Sequence, residues 1–409
     1  MDMSLIIDIL FDVFLLYDSS RKLRLNKGDL SMKNGKRLSI AIIAAVFTFI
    51  LAGCLKSADD VASPAATQKP EPTQAVEELQ PKEPASTATP TIAPAPTEMP
   101  EEAKAPTSEQ ATENEDKPED SYESMIDISN AYMSAITVTE DSPSDYMAKK
   151  ADRTYGTVVH KTYASKTTGL TRGVNIILPP NYDESKKYPV VYLLHGIFGN
   201  EHSMLEGNFL IEISGNLAAE GKTKEMIIVL PDMFAKTDIN QQPSLTQEGM
   251  LIYDNFINDL VNDLMPFIEE NYSVLAGREN QAIAGFSMGG REALYIGFTR
   301  PDLFGYILAI APAPGLTPGK DWALNHPGQI QEDELRIKDS DETPYLIMLC
   351  SGTNDRVVGT FPKSYHDIME RNGVNHIWYE VSGADHDNRT IRSGLYNFFS
   401  SIFKAEDFN

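Results

Sequence analysis

Cysteine is almost absent. The 409 residues hold two, Cys54 and Cys350. Neither belongs to a CxxC pair or a Cys/His cluster, which argues against a zinc site. Positive charge is scarce as well: 35 Lys and Arg face 59 Asp and Glu, a formal net charge of −24. Such a chain is a poor match for nucleic acid or anionic headgroups, and no nucleic-acid partner is expected. No metal-ligand cluster is visible, so neither a metal nor a cofactor is expected. Between Leu55 and about Asp120 there is no glycine and no aromatic residue at all.

That last stretch is instead rich in Pro, Thr, Ala and Glu, as in "EPASTATPTIAPAPTEMPEE". It cannot bury enough apolar surface to offset the entropy of ordering, and its prolines favour extended chain over helix. We expect residues 54–122 to be a disordered linker. Before it, "MKNGKRLSIAIIAAVFTFILAGC" (32–54) has a positive n-region at Lys33, Lys36 and Arg37 and a short apolar run, Leu38 to Leu51. The run is too short for a comfortable span and has the layout of an export signal. "LAGC" resembles the bacterial lipobox, which implies a lipoprotein signal peptide over 32–53, lipidation of Cys54 and anchorage on the extracytoplasmic face of the cell membrane. Residues 1–31 fit neither a signal nor a span. Lys27-Gly28-Asp29 back-translates to a purine-rich stretch just upstream of the Met32 codon, so 1–31 are expected to be an upstream extension read through a ribosome-binding site. Residues 123–152 form a lead-in of uncertain role.

From 153 to 409 strand-like and helix-like runs alternate. "TVVHKTYA" and "RGVNIILPP" suggest an opening antiparallel pair. "YPVVYLLHG", "EMIIVLPD", "QAIAGFS", "YILAIAPA", "PYLIMLCSG" and "HIWYEVSG" are apolar, β-rich runs of the kind buried on both faces. Between them, Ile252 to Tyr272 repeats apolar residues at helical spacing, with Pro266 expected to bend it. The alternation predicts an α/β domain with a mostly parallel central sheet and helices on both faces.

"GFSMGG" (285–290) carries the chemistry. A lone GxSxG arises by chance about 0.1 times in a chain this long. Here, however, a strand precedes it and a helix starts at once, which places Ser287 on the sharp turn of a nucleophile elbow. Gly285 and Gly289 are then required because a Cβ would crowd the turn, and Gly290 lets the helix approach the sheet. A serine hydroxyl needs a base, and the base an orienting acid. Both follow in chain order at strand ends: Asp355 in "LCSGTNDRVVG" and His386 in "SGADHDNRT". His386 is the only histidine in a loop after the last strand. His160 and His376 lie in or beside strands, where structural roles are commoner, and His202, His326 and His366 have no motif around them. Asp385 and Asp387 rival Asp355 but are sequence neighbours of the histidine, badly placed to aim at its Nδ1. "LLHGIFGN" (193–200) follows the central strand, and the backbone N–H groups of Ile197 and Met288 are the expected oxyanion donors. His195 is expected to anchor that loop.

These stretches together make residues 155–404 similar to the esterase D-like α/β-hydrolases, above all the feruloyl and acetylxylan esterases of carbohydrate esterase family 1. The resemblance implies an α/β-hydrolase fold with Ser287 as nucleophile, Asp355 as acid, His386 as base, and Ile197 and Met288 as oxyanion donors. It implies a serine esterase removing feruloyl or acetyl groups from plant cell-wall polysaccharide, with a polysaccharide or small ester as substrate and the membrane met through the lipid anchor. Alternatives are a siderophore esterase or acyltransferase of the same superfamily, or a carbohydrate-binding lipoprotein without activity. Phe198 stands where the family often has a third glycine, and Asn388 where it often has an aromatic residue. Phe198 is the candidate substrate-binding residue, able to stack on an aromatic acyl group or simply to pack the loop.

Overall fold

The computed structural model describes residues 124–408; the signal, Cys54, the linker and residues 1–31 lie outside the described residues. Ten strands form in chain order: β1 Thr157–Ala164, β2 Thr171–Leu178, β3 Val190–Leu194, β4 Ile227–Pro231, β5 Gln281–Phe286, β6 Tyr306–Ile310, β7 Gly319–Lys320, β8 Asn325–His326, β9 Leu346–Gly352 and β10 Ile377–Val381. Eight of them make one sheet in the order β1-β2-β4-β3-β5-β6-β9-β10, and β7 and β8 make a separate small hairpin. The β1–β2 and β2–β4 pairs are antiparallel; every later pair in the sheet is parallel.

The apolar runs are continuous because both faces are covered. All five residues of β3 are buried. Val190, Tyr192 and Leu194 enter one core layer, while Val191 and Leu193 enter the other. The helices are α1 Met125–Ser134, α2 Leu210–Ala219, α3 Gln247–Asp254, α4 Phe256–Asp259, α5 Met265–Asn271, α6 Met288–Thr299, α7 Phe361–Arg371 and α8 Asn388–Phe399. Helices α3 to α7 cover the first layer; α1, α2 and α8 cover the second.

The periodic stretch 252–272 is not the single bent helix its spacing predicts. It breaks at Asn255 and again at a π-turn, Leu260–Leu264, before α5 begins. Pro266 sits in the first turn of α5. It follows the widened turn directly, and Met265 N–H just before it bonds Leu260 O five residues back, so the proline falls where the regular helical ladder is already interrupted.

The lead-in joins the core. Ser124 caps α1 by accepting from Asp127 N–H, and Tyr132 and Met133 are buried. The Tyr132 hydroxyl donates to Ser401 O, and its ring lies against Tyr306, Tyr345 and Phe408. Thr139 and Asn397 on α8 exchange bonds, Thr139 N to Asn397 Oδ1 at 2.9 Å and Asn397 Nδ2 to Thr139 O at 2.7 Å.

Candidate active site

Four parallel strands, β3, β5, β9 and β10, deliver their C-terminal loops to one edge of the sheet, the general ligand position in such folds. Ser287 follows β5 directly. Its φ is +57° and its ψ −116°, a strained conformation for a residue with a side chain, and it is 4% exposed. Ser287 N–H donates to Ile310 O at 2.9 Å, and its carbonyl accepts from Arg291 and Ala313, so the turn is held from both sides. Its Oγ does not cap α6 and is left for chemistry. The glycines around it are steric necessities. A Cβ on Gly285 would lie 2.1 Å from Gly289 O, and one on Gly289 2.4 Å from Leu194 O. On Gly290 it would come within 3.0 Å of Ile310 O, which is the close helix–sheet approach expected of it.

Asp355, after β9, has a fully buried carboxylate. Oδ1 accepts from Val357 N–H at 2.9 Å and Val358 N–H at 3.1 Å, and Oδ2 lies 2.7 Å from His386 Nδ1. Asp355 therefore spends one oxygen on fixing itself and the other on the imidazole. The two rivals are occupied elsewhere: Asp385 Oδ1 accepts the His386 N–H at 2.8 Å, and Asp387 caps α8. The His386 ring lies on Phe286, centroids 4.4 Å apart, which brings it beside the residue preceding Ser287.

The loop after β3 is set by His195, which is 1% exposed. Met233 N–H donates to its Nε2 at 3.0 Å, so the neutral ring carries its proton on Nδ1 and donates it to Gly196 O at 2.7 Å. With both nitrogens engaged, His195 anchors the loop. Gly199 lies against that ring, where a Cβ would meet Nδ1 at 2.7 Å. Phe198 takes a φ of +63° and donates its N–H to the Tyr253 hydroxyl at 3.2 Å. Among the described residues, the N–H groups of Ile197 and Met288 have no hydrogen-bond partner. One lies on the loop and the other at the positive end of α6, and both are free to donate.

Residues 165–388 match the family model described as "Putative esterase", more than half of the chain and all three of Ser287, Asp355 and His386. The chain belongs to this esterase family. The esterase is 50% identical to a CE1 ferulic acid esterase from Anaeromyces mucronatus solved with ferulic acid; the match covers 66% of this chain and 99% of that one, with a TM-score of 0.64. It is 29% identical over 265 residues to an endo-1,4-beta-xylanase/feruloyl esterase of Xylanibacter ruminicola, covering 64% of this chain and 33% of that protein. It is 26% identical over 185 residues to endo-1,4-beta-xylanase Y of Acetivibrio thermocellus, covering 42% of this chain and 15% of that protein. The esterase thus spans a third or less of the length of these two relatives.

Several site features of the esterase carry no sequence signal. Arg291, one turn after Ser287, is buried and bonds Asp254 and Glu292, the latter at 2.6 Å. Gln329 Nε2 donates to Glu292 Oε2 at 3.0 Å and Asp254 Oδ1 at 3.2 Å. Burial drives the Asp254 carboxyl up to about 7; Arg291 opposes the rise and Glu292 adds to it. The loop carrying His386 is tied to the lead-in at two points. Ser382 N–H donates to Glu140, and Arg389 forms a two-pronged pair with Asp141 at 2.6 and 2.9 Å. Asn388 reaches across to Glu206 O at 3.3 Å and lies against Gly207, so its role here is to bridge two loops.

Proposed function

We propose that the protein is a serine carboxylic-ester hydrolase that removes feruloyl or acetyl groups from plant cell-wall polysaccharide through an acyl-enzyme. The observation that carries this reading is the 50% identity to a ferulic acid esterase across 99% of that chain. The Asp355–His386 pair, the strained Ser287 and the two unpaired N–H groups supply the parts of the mechanism.

In the first half-reaction His386 Nε2 accepts the Ser287 proton as Oγ attacks the ester carbonyl carbon. Asp355 Oδ2 holds the Nδ1–H and stabilises the imidazolium. The carbonyl oxygen becomes an oxyanion received by Ile197 and Met288 N–H. Its collapse breaks the bond to the sugar oxygen, which takes the proton from His386 and leaves as an alcohol. In the second half, water gives a proton to His386 and attacks the acyl carbon. Collapse then returns the proton to Ser287 Oγ and releases the free acid. Two N–H donors aimed at the oxyanion are each worth about 3 kcal/mol in such sites.

The protein is also proposed to sit lipid-anchored through Cys54 on the outer face of the cell membrane, because the substrate polymer cannot enter a cell. Stable anchoring needs more than one acyl chain, as bacterial lipoproteins have. The test of the enzymatic reading is kcat/KM on methyl ferulate and a small acetyl ester for wild type and Ser287→Ala. Turnover that falls by several orders of magnitude in a folded variant supports it, and near-wild-type turnover rejects it. Fractionation of cells carrying Cys54→Ala tests the anchor: the variant should leave the membrane fraction or accumulate unprocessed.

A further inference from the structure

Two groups of side chains outside the ester-cleaving site bring three ligand-type atoms within 4.8 Å of one another: His160, Glu201 and His202, and His366, Glu370 and His376. Their hydrogen bonding separates them. In the first, the Asn175 side-chain amide donates to Glu201 O at 3.0 Å and faces His202 Nδ1 at 2.9 Å. Both amide protons are thereby spoken for, His202 Nδ1 is an acceptor, and the His202 proton lies on Nε2, 3.4 Å from Glu201 Oε1. Moving that proton to Nδ1 would set it against the Asn175 amide protons, so His202 offers this group no lone pair, and His160 Nε2, whose ring is fixed by Nδ1 donating to Asn175 Oδ1 at 3.2 Å, is left as its one imidazole ligand.

The second group has the opposite arrangement. His376 Nδ1 lies 2.8 Å from Val374 O and must carry the proton there, so Nε2 presents a lone pair. A backbone carbonyl on the far nitrogen is also the usual way a metal-binding imidazole is oriented. His376 Nε2 meets His366 Nδ1 at 2.7 Å, with the rings 66° apart. His366 and Glu370 are four apart on α7, so they share one face of the helix. The His366 ring is stacked on Trp378, centroids 5.4 Å and planes 11° apart, which limits its rotation.

We propose that His366, Glu370 and His376 form a binding site for a divalent transition metal, taken up through His366 Nδ1, His376 Nε2 and the Glu370 carboxylate. The ion replaces the proton now shared by the two rings. His366 shifts to its other neutral tautomer, with the proton on Nε2, which faces Asp367 Oδ1 4.0 Å away. Zinc–nitrogen bonds of about 2.0–2.1 Å in tetrahedral geometry set the nitrogens about 3.3 Å apart, so the rings must part by roughly 0.6 Å. The His366 side chain, 20% exposed, and the exposed Glu370 can supply that movement. Two imidazoles and one carboxylate select zinc, cobalt, nickel or copper over calcium and magnesium. The site clamps α7 to the start of β10, the edge strand of the sheet. β10 has five residues, so at about 3.3 Å each the clamp lies roughly 16 Å along the strand from the loop that holds His386. Its role is therefore to stabilise the edge, separate from ester cleavage.

The test uses the full chain without a histidine tag, stripped with chelator and titrated with Zn2+ by calorimetry and with Co2+ by visible absorption. One equivalent should bind, and Zn2+ at 100 times its dissociation constant should raise the unfolding midpoint by about 5 °C. His366→Ala and His376→Ala should each abolish both effects, Glu370→Gln should weaken binding about tenfold or more, and His202→Ala should change nothing. Esterase activity of each variant reports that it is folded. Absence of saturable binding, binding that survives His366→Ala, or loss of binding in His202→Ala alone would each overturn the proposal.

Discussion

Asp355 presents Oδ2 to His386 Nδ1 at 2.7 Å while its other oxygen accepts two backbone N–H groups, from Val357 and Val358. The division of labour between the two oxygens makes the effect of Asp355→Asn specific. The amide oxygen must take the Oδ1 position, because an NH2 there would face two donors. The NH2 is then forced toward His386 Nδ1, which becomes an acceptor, and the imidazole proton moves to Nε2. That nitrogen can no longer take the Ser287 proton. We expect kcat to fall by about 10⁴ with the fold retained. A variant with full activity would move the orienting role to Asp385 or Asp387.

The Asp141–Arg389 pair is largely exposed, with side chains 56% and 37% accessible, so its contribution to stability should be small. Its position is more telling. Arg389 also donates to Ser382 O at 2.7 Å, and the His386 loop lies between these two residues. Asp141→Ala should leave the unfolding midpoint nearly unchanged while kcat falls about tenfold at constant KM, as expected when a base is displaced by a fraction of an ångström. Asp141→Glu should recover part of the loss. A rise in KM alone would reduce the pair to a surface contact.

Asp254 makes stability depend on pH. Its folded pKa is raised, chiefly by burial, from the ordinary carboxylate range to about 7. A raised folded pKa means that the native state holds the proton more tightly than the unfolded chain. The stabilising contribution is complete below about pH 4 and is lost as pH rises toward 7. Urea midpoints of the wild type should therefore carry a downward component between pH 4 and 7 that Asp254→Asn lacks. The asparagine keeps an acceptor for Arg291 and Gln329, so the comparison isolates the charge. Parallel pH profiles for the two proteins would refute the assignment.

The inner strands of the sheet were legible in the sequence, because runs such as "VVYLL" and "YILAI" are apolar without alternation, as burial on both faces demands, whereas "HIWYEVSG", expected to be buried in the same way, forms the edge strand β10 and is only half-buried. The local chemistry of the elbow was legible too, since Gly285 and Gly289 are required by contacts within a few residues and with the adjacent strand. What escaped was non-local. Nothing near Tyr253 in sequence reports that its hydroxyl holds the loop at Phe198, or that Asp141 pairs with Arg389 far along the chain. The helix breaks at Asn255 and at the π-turn were hidden because apolar spacing survives a widened turn. The β7–β8 hairpin, two residues per strand, is too short to leave a pattern.

Phe198 combines two properties that bear on its role. It is 58% exposed, and it occupies the left-handed region at φ +63°, where a residue with a Cβ is strained. Glycine would relieve the strain, and a plain loop filler would be buried. An exposed aromatic held in this conformation beside Ile197 supports the proposal that Phe198 meets the acyl group. Two substitutions separate binding from packing. Phe198→Ala should lower kcat/KM for methyl ferulate by about fivefold or more, about 1 kcal/mol, and leave a small acetyl ester nearly unaffected. Phe198→Gly should show the same selectivity yet be more stable than Phe198→Ala by about 1 kcal/mol, because only the backbone conformation differs between them. Equal losses on both esters would make Phe198 a support of the oxyanion loop. In that case the Tyr253 hydroxyl bond to its N–H would be the feature to remove next, since Tyr253→Phe frees the loop without touching any group that faces the ester.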